Sequence, residues 1–282
     1  MKKLIITAAA LSLGIIAGCG GGGSTPATSI LGKVADGYLV NATVFMDKNN
    51  NYQLDAGEPS TTTDANGAFT LNIDSADLGK YPIVAMAIKG QTIDRDINAA
   101  VSNSYVMSAP AGATGFISPM STLIREKMAV NQGMTLNDAM IQLRNQMNLP
   151  LGIDMMADYV VASQSGTTAT QYLTMRTTAQ QMAGLMAGQA ALVMNVNGSS
   201  VNLNRYRGMM ATINSNMPAI TANAGNSAFM ASMMTTMQTQ LGTISMSGFM
   251  NYSGMFRNIT SHSSFWSSAG APMTPMSGGM MR

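Results

Sequence analysis

Acidic side chains vanish from this chain after Asp158. All 13 lie between Asp36 and Asp158, and from Tyr159 onward the only charges are Arg176, Arg205, Arg207, Arg257 and Arg282. Charged residues make up 10% of the 282, against roughly 25% in an ordinary globular domain. There is one histidine, one cysteine and one tryptophan. These shortages exclude much chemistry. A Ser-His-Asp or Cys-His relay would have to use His262, whose neighbours are Ser, Asn, Thr and Ile, with no carboxylate to orient it. A lone cysteine forms no disulfide within the chain, and no zinc or haem spacing is present. The phosphate-loop pattern G-x-x-x-x-G-K is also missing. A net charge of +2 without a basic cluster leaves no footprint for nucleic acid. Asp94 and Asp96 flank Arg95, which reads as a solvated turn or an ion pair rather than an acid–base pair. No enzyme is expected.

What is present begins with an address. Lys2 and Lys3 precede an apolar run from Leu4 to Ile16 and then small residues, the layout of a secretory signal peptide too short to span a membrane. The stretch Ile16-Ala17-Gly18-Cys19 resembles the lipobox of bacterial lipoproteins. That resemblance implies removal of residues 1–18, acylation of Cys19 and anchoring in the membrane. It would also account for a single cysteine in an exported chain. The alternative is a signal peptide that merely holds a cysteine near its cleavage site. Gly20 stands where the family's inner-membrane retention signal would place Asp, so the outer membrane is the expected location. Residues 19–29 (CGGGGSTPATS) read as a flexible tether.

From Ile30 the pattern is one of short strands. Ala42, Val44 and Met46 alternate with Thr43 and Phe45, which predicts a half-buried strand. Further strands are expected at 68–73, entered through the Asp64-Ala65-Asn66-Gly67 turn, and at 83–88 and 104–108. Between the first two lies DKNNNYQLDAGEPSTTT. With Asp47 as position 1, oxygen side chains fall at 3 (Asn49), 5 (Asn51), 9 (Asp55) and 12 (Glu58), and Gln53 stands at 7 to offer its carbonyl. This is the schedule of a Ca²⁺ loop of EF-hand type. Calcium takes about six to eight hard oxygens at about 2.3–2.6 Å, and alternate residues of a curled loop can aim them at one centre. Leu54 is placed to pin the loop to the core. One departure stands out: position 6 is Tyr52 rather than glycine, and a Tyr at positive φ is strained. An Asn-rich hairpin held by Asx turns, without metal, is the alternative.

The block GKVADGYLVNATVFMDKNNNYQLDAGEPSTTTDANGAFTL resembles prealbumin-like surface domains of bacteria, including carboxypeptidase regulatory-like domains. The resemblance implies a β-sandwich with structural calcium on Asp47, Asn49, Asn51, Gln53, Asp55 and Glu58, and no catalysis of its own.

The rest reads as helical. Ser118-Pro119 is a start signal for a helix to about Gln132, with Gly133 as its stop. Thr135 and Asp138 form a capping box for a helix with Leu136, Ala139, Met140, Leu143 and Met147 on one face. Others are expected at 154–162, 169–194, 203–217 and 227–241. In the long one Tyr172, Met175, Ala179, Met182, Met186 and Val193 share a face. Gly184 and Gly188 read as close helix packing. The chain holds 29 methionines. Core filling by flexible thioethers is the first reading, an adaptable partner surface the second. The third is copper handling, with Met273, Met276, Met280 and Met281 near His262 as soft ligands.

The expected architecture is therefore α+β. A β-sandwich spans 30–112, a methionine-rich helical bundle spans 116–244, and a disordered Met/Ser/Gly-rich tail covers 245–282. The function it implies is that of a non-enzymatic cell-envelope lipoprotein with a protein partner and a membrane anchor.

Overall fold

The computed structural model describes residues 27–131 and 133–244. The expected signal peptide, Cys19, His262 and residues 245–282 lie outside the described residues. Within them strands precede helices, a mixed α and β chain with three small sheets and eight α-helices.

Strand β1 (Ala27–Val34) runs antiparallel to β5 (Ala68–Asp74) and parallel to β10 (Phe116–Ile117). Ala27 to Ser29, read as tether, are therefore strand: they pair with Asp74, Ile73 and Asn72. β5 alternates cleanly, with Phe69, Leu71 and Ile73 buried and Thr70 and Asn72 exposed. Its entry turn closes because Asp64 Oδ1 accepts from the Asn66 and Ala68 amides. Gly67 there has φ +71°, and a Cβ would stand 2.9 Å from the Val34 carbonyl, so only glycine fits.

The second sheet is antiparallel, in the order β4 (Ser60–Thr62), β3 (Thr43–Met46), β6 (Ile83–Ala87), β9 (Tyr105–Ala109). β3 is not the half-buried strand its alternation predicts, since Val44, Phe45 and Met46 are all buried. It lies inside the sheet, and β5 packs on it as well. Three two-residue strands, β2 (Leu39–Val40), β7 (Ile93–Asp94) and β8 (Ala99–Ala100), form the third sheet, which no sequence pattern announced.

Helix α1 (Pro119–Val130) starts where Ser118 predicts, with Ser118 and Ser121 capping each other's amides. It ends at Val130, short of Gln132, and Gly133 then takes φ +97°. α2 (Leu136–Gln146) carries the Thr135–Asp138 box. Of the expected 154–162 helix only α3 (Tyr159–Ala162) forms, because Asp158 caps the Val160 and Val161 amides and fixes a later start. The expected long helix is two, α4 (Ala169–Gly188) and α5 (Ala190–Val193), broken at the buried Gln189. α6 (Leu203–Ser215) stops early, and Pro218 in the first turn of α7 (Met217–Ala222) marks a new start. α8 (Ser227–Thr243) is capped by Asn226.

One connected core runs from Ile30 through the sheets to Ile244. Met175, Ala179, Met182 and Met186 of α4 enter it on the expected face, as do Leu143 of α2 and Met147 at that helix's C-cap. Among the described residues thirteen methionines are buried, which places that subset in the role of core filler.

Candidate metal centre in the 47–58 loop

The end of β3 delivers Asp47 into the interior, and its own amide donates to the Pro82 carbonyl at 3.1 Å. From there the loop folds on itself through short polar side chains. Asn49 Oδ1 accepts from the Asn51 amide and Asn51 Oδ1 from the Gln53 amide, two successive Asx turns.

The six candidate ligands fall into three groups. Asn49, Asn51 and Gln53 converge on Asp55. The Nδ2 groups of both asparagines donate to Asp55 Oδ2 at 2.7 Å, and Gln53 Nε2 donates to Oδ1 at 3.3 Å. These bonds, led by Asn49 and Asn51, hold the Asp55 carboxyl below the usual carboxylate range. Glu58 instead braces the backbone, accepting from the Lys48 amide at 2.7 Å and the Asp55 amide at 3.0 Å. Asp47 faces the other way, with no exposure. Its Oδ1 accepts from the Asn51 amide, while Oδ2 accepts from the Tyr52 amide and from Arg125 Nη2 at 2.7 Å. Among the described residues no three His, Cys, Asp or Glu side chains come together closely enough to hold an ion. The loop's clustered donors are amides around one carboxylate.

Tyr52 resolves the missing glycine. It takes φ +60°, the left-handed turn that glycine would make at that position, and Asn50 beside it takes +61°. Such a conformation costs about 1–3 kcal/mol in a non-glycine residue. Packing offsets it. The Tyr52 ring is buried, its centroid lies 4.5 Å from that of Tyr206 on α6, and Arg125 Cζ sits 4.0 Å above it. Burial raises the phenol's pKa far above its usual value, so it stays a neutral donor, and it donates to Glu126 Oε1. Leu54, expected to be the pin, is 38% exposed. Tyr52 does that work.

Arg125 and Glu126 were not singled out by the sequence. A run of Arg-Glu-Lys in a helix reads as a solvated face, yet Arg125, Glu126 and Lys127 are all buried because α1 is covered almost all round. The available signal was their position directly after the apolar Leu123-Ile124. Lys127 is pushed down to about 8 by that burial.

A second buried group lies near the third sheet. Asp36 accepts from the Tyr105 hydroxyl at 2.7 Å, while its other oxygen is buried without a partner. Burial pushes it up to about 7, and Asp94 and Asp96 reinforce that shift. Asp96 pairs with Arg176 of α4 at 2.6 Å and accepts from Gln180, so the Asp94–Asp96 turn holds an ion pair to the helical half.

Among the described residues no helix is long and apolar enough to cross a membrane. Comparison with known proteins gives no match: no family model, curated protein or solved structure is similar to this chain.

Proposed function

We propose that the chain is a non-enzymatic, lipid-anchored protein of the bacterial cell envelope, bound through Cys19. In this reading the 47–58 loop holds a structural calcium ion and fastens a prealbumin-like sandwich to the helical half. The observation that carries the calcium reading is the convergence of Asn49, Asn51 and Gln53 on Asp55, beside a left-handed turn at position 6 of the schedule. Turning each asparagine amide over would aim its oxygen, rather than its nitrogen, at the same point, with loss of the Asx-turn bond that oxygen now accepts. Glu58 Oε1 and Oε2 each accept one amide and keep a lone pair, as does Asp47 Oδ1, whereas Asp47 Oδ2 already accepts from both the Tyr52 amide and Arg125. Anchorage in the outer membrane rests on the lipobox and on Gly20 after Cys19. A protein partner is supported by residues 208–244, which carry no charged side chain at all.

An extracellular calcium module has a Kd of about 0.1–1 mM. At about 1 mM calcium and a Kd of about 0.1 mM, binding contributes about 1.4 kcal/mol. The test is thermal melting of a soluble form beginning at Ser24. Calcium raises its Tm by about 3–6 °C, and chelator, Asp55→Ala or Glu58→Ala removes the rise. A melting curve indifferent to calcium leaves a metal-free loop of Asx turns. Palmitate labelling of the full chain, lost in Cys19→Ser, tests the anchor separately.

A further inference from the structure

Helix α8 is attached in an unusual way. Carrying no charged residue, it can form no ion pair with its neighbours. Only Met237 and Leu241 of the helix are fully buried. The rest of its inward face is Met230, Met233 and Met234, packed on the core while still partly open to solvent.

Met234 is the tightest of these contacts. It lies over Gly188, the last residue of α4, and a Cβ on that glycine would collide with the Met234 Sδ and Cε. The buried Gln189 donates from Nε2 to Met234 Sδ at 3.0 Å and to its carbonyl at 3.3 Å. Gln238 Nε2 returns a weak bond to the Gly188 carbonyl at 3.5 Å. The thioether thus lies in the space that residue 188, having no side chain, leaves open, and the Gln189 amide donates to it from one side.

We propose that this methionine seam is an oxidation site, with Met234 at its centre and peroxides or hypohalous acids as the reagent class, and that its oxidation releases α8 from α4. With hydrogen peroxide, a sulfur lone pair attacks one peroxide oxygen, the S–O bond forms and the O–O bond breaks. A proton moves to the departing oxygen, which leaves as water, and the sulfide becomes a sulfoxide in a two-electron oxidation. The product is polar and bulkier. An oxygen added to this sulfur would compete with the Gln189 amide hydrogen bond and enlarge a side chain already pressed on Gly188, which loosens the seat of α8. Sulfoxides at Met230 and Met233 would remove the apolar contacts that remain beside it. A sulfoxide reductase reverses the change. The proposal stands apart from the calcium reading.

The experiment treats the purified full chain with hydrogen peroxide. It maps the added oxygen by peptide mass spectrometry and follows amide hydrogen exchange. Met230, Met233 and Met234 are expected to oxidise before the fully buried Met182, Met209 and Met210. Exchange across α8 should then rise about tenfold or more while α1 stays protected, and reductase should restore the original pattern. A triple variant, Met230→Leu, Met233→Leu and Met234→Leu, keeps the apolar volume but offers no sulfur, and its α8 should stay protected under peroxide. The inference is overturned if the three methionines resist oxidation, if α8 stays protected once they are oxidised, or if the leucine variant loses α8 equally.

Discussion

Arg125 and Asp47 meet at 2.7 Å with almost no access to water, at 6% and 0% side-chain exposure. Such a pair stabilises little against an apolar substitute, but half of it is costly to keep. Arg125→Met leaves the Asp47 carboxylate buried beside only backbone donors, and a loss of about 3–5 kcal/mol is expected in urea unfolding. The double change Arg125→Met with Asp47→Asn should recover much of that loss. Asp36 makes one contribution to the response to pH that a substitution can isolate. Its carboxyl titrates near 3.8 when unfolded and about 7 when folded, so between those values the folded chain keeps a proton the unfolded chain has released. The Asp36 contribution to stability is therefore greatest below about 4, falls as pH rises toward about 7, and levels off above it. Chemical denaturation from about pH 5 to pH 8 should show that decline, and Asp36→Asn should flatten it. At this scale the sequence was half legible. The carboxylates of the loop stood out by their spacing, whereas the arginine that holds the first of them is 78 residues away and had no local mark.

Among the elements, α1 links the halves, because it packs on β9 and on α6 while lending Arg125 and Glu126 to the loop. Its start is fixed by buried hydroxyls. Ser118 and Ser121 cap each other, and Ser121 and Thr122 also donate to the Ser108 carbonyl of β9. Ser118→Ala should cost about 1–2 kcal/mol, at the upper end for a cap since its partners are buried, as read from the urea midpoint. The loop makes the opposite point about glycine. Tyr52→Gly relieves the left-handed strain but forfeits the ring's contacts with Tyr206 and Arg125 and its bond to Glu126. Losing a buried aromatic costs about 3–5 kcal/mol against a relief of about 1–3, so net destabilisation is expected in the same assay. Capping chemistry made the starts of α1 and α2 readable. The breaks at Gln189 and between α6 and α7 were less so, because a helical period continues through them and burial decides where it stops.

For the molecule as a whole, composition and packing divide the chain differently. Charge splits it at Asp158, yet the core passes from the sheets into the helices without a gap, and the Asp96–Arg176 pair ties across the split. Unfolding is therefore expected to be one cooperative transition. Circular dichroism followed at a helix-sensitive and a sheet-sensitive wavelength should give coincident curves, and two separated midpoints would contradict a shared core.

The amino-acid sequence determined the local features: the longer strands and most of the helices, where two helices are capped, which faces carry methionine, and where the oxygens of the 47–58 loop fall. Each depends on neighbours a few residues apart, whose spacing is printed in the chain. Tertiary structure alone decided that Tyr52 takes the place of glycine, that Arg125 claims Asp47, and that Met234 fills the recess at Gly188. These are contacts between distant segments, and only the burial that brings those segments together makes a strained turn, a buried charge or a missing side chain favourable.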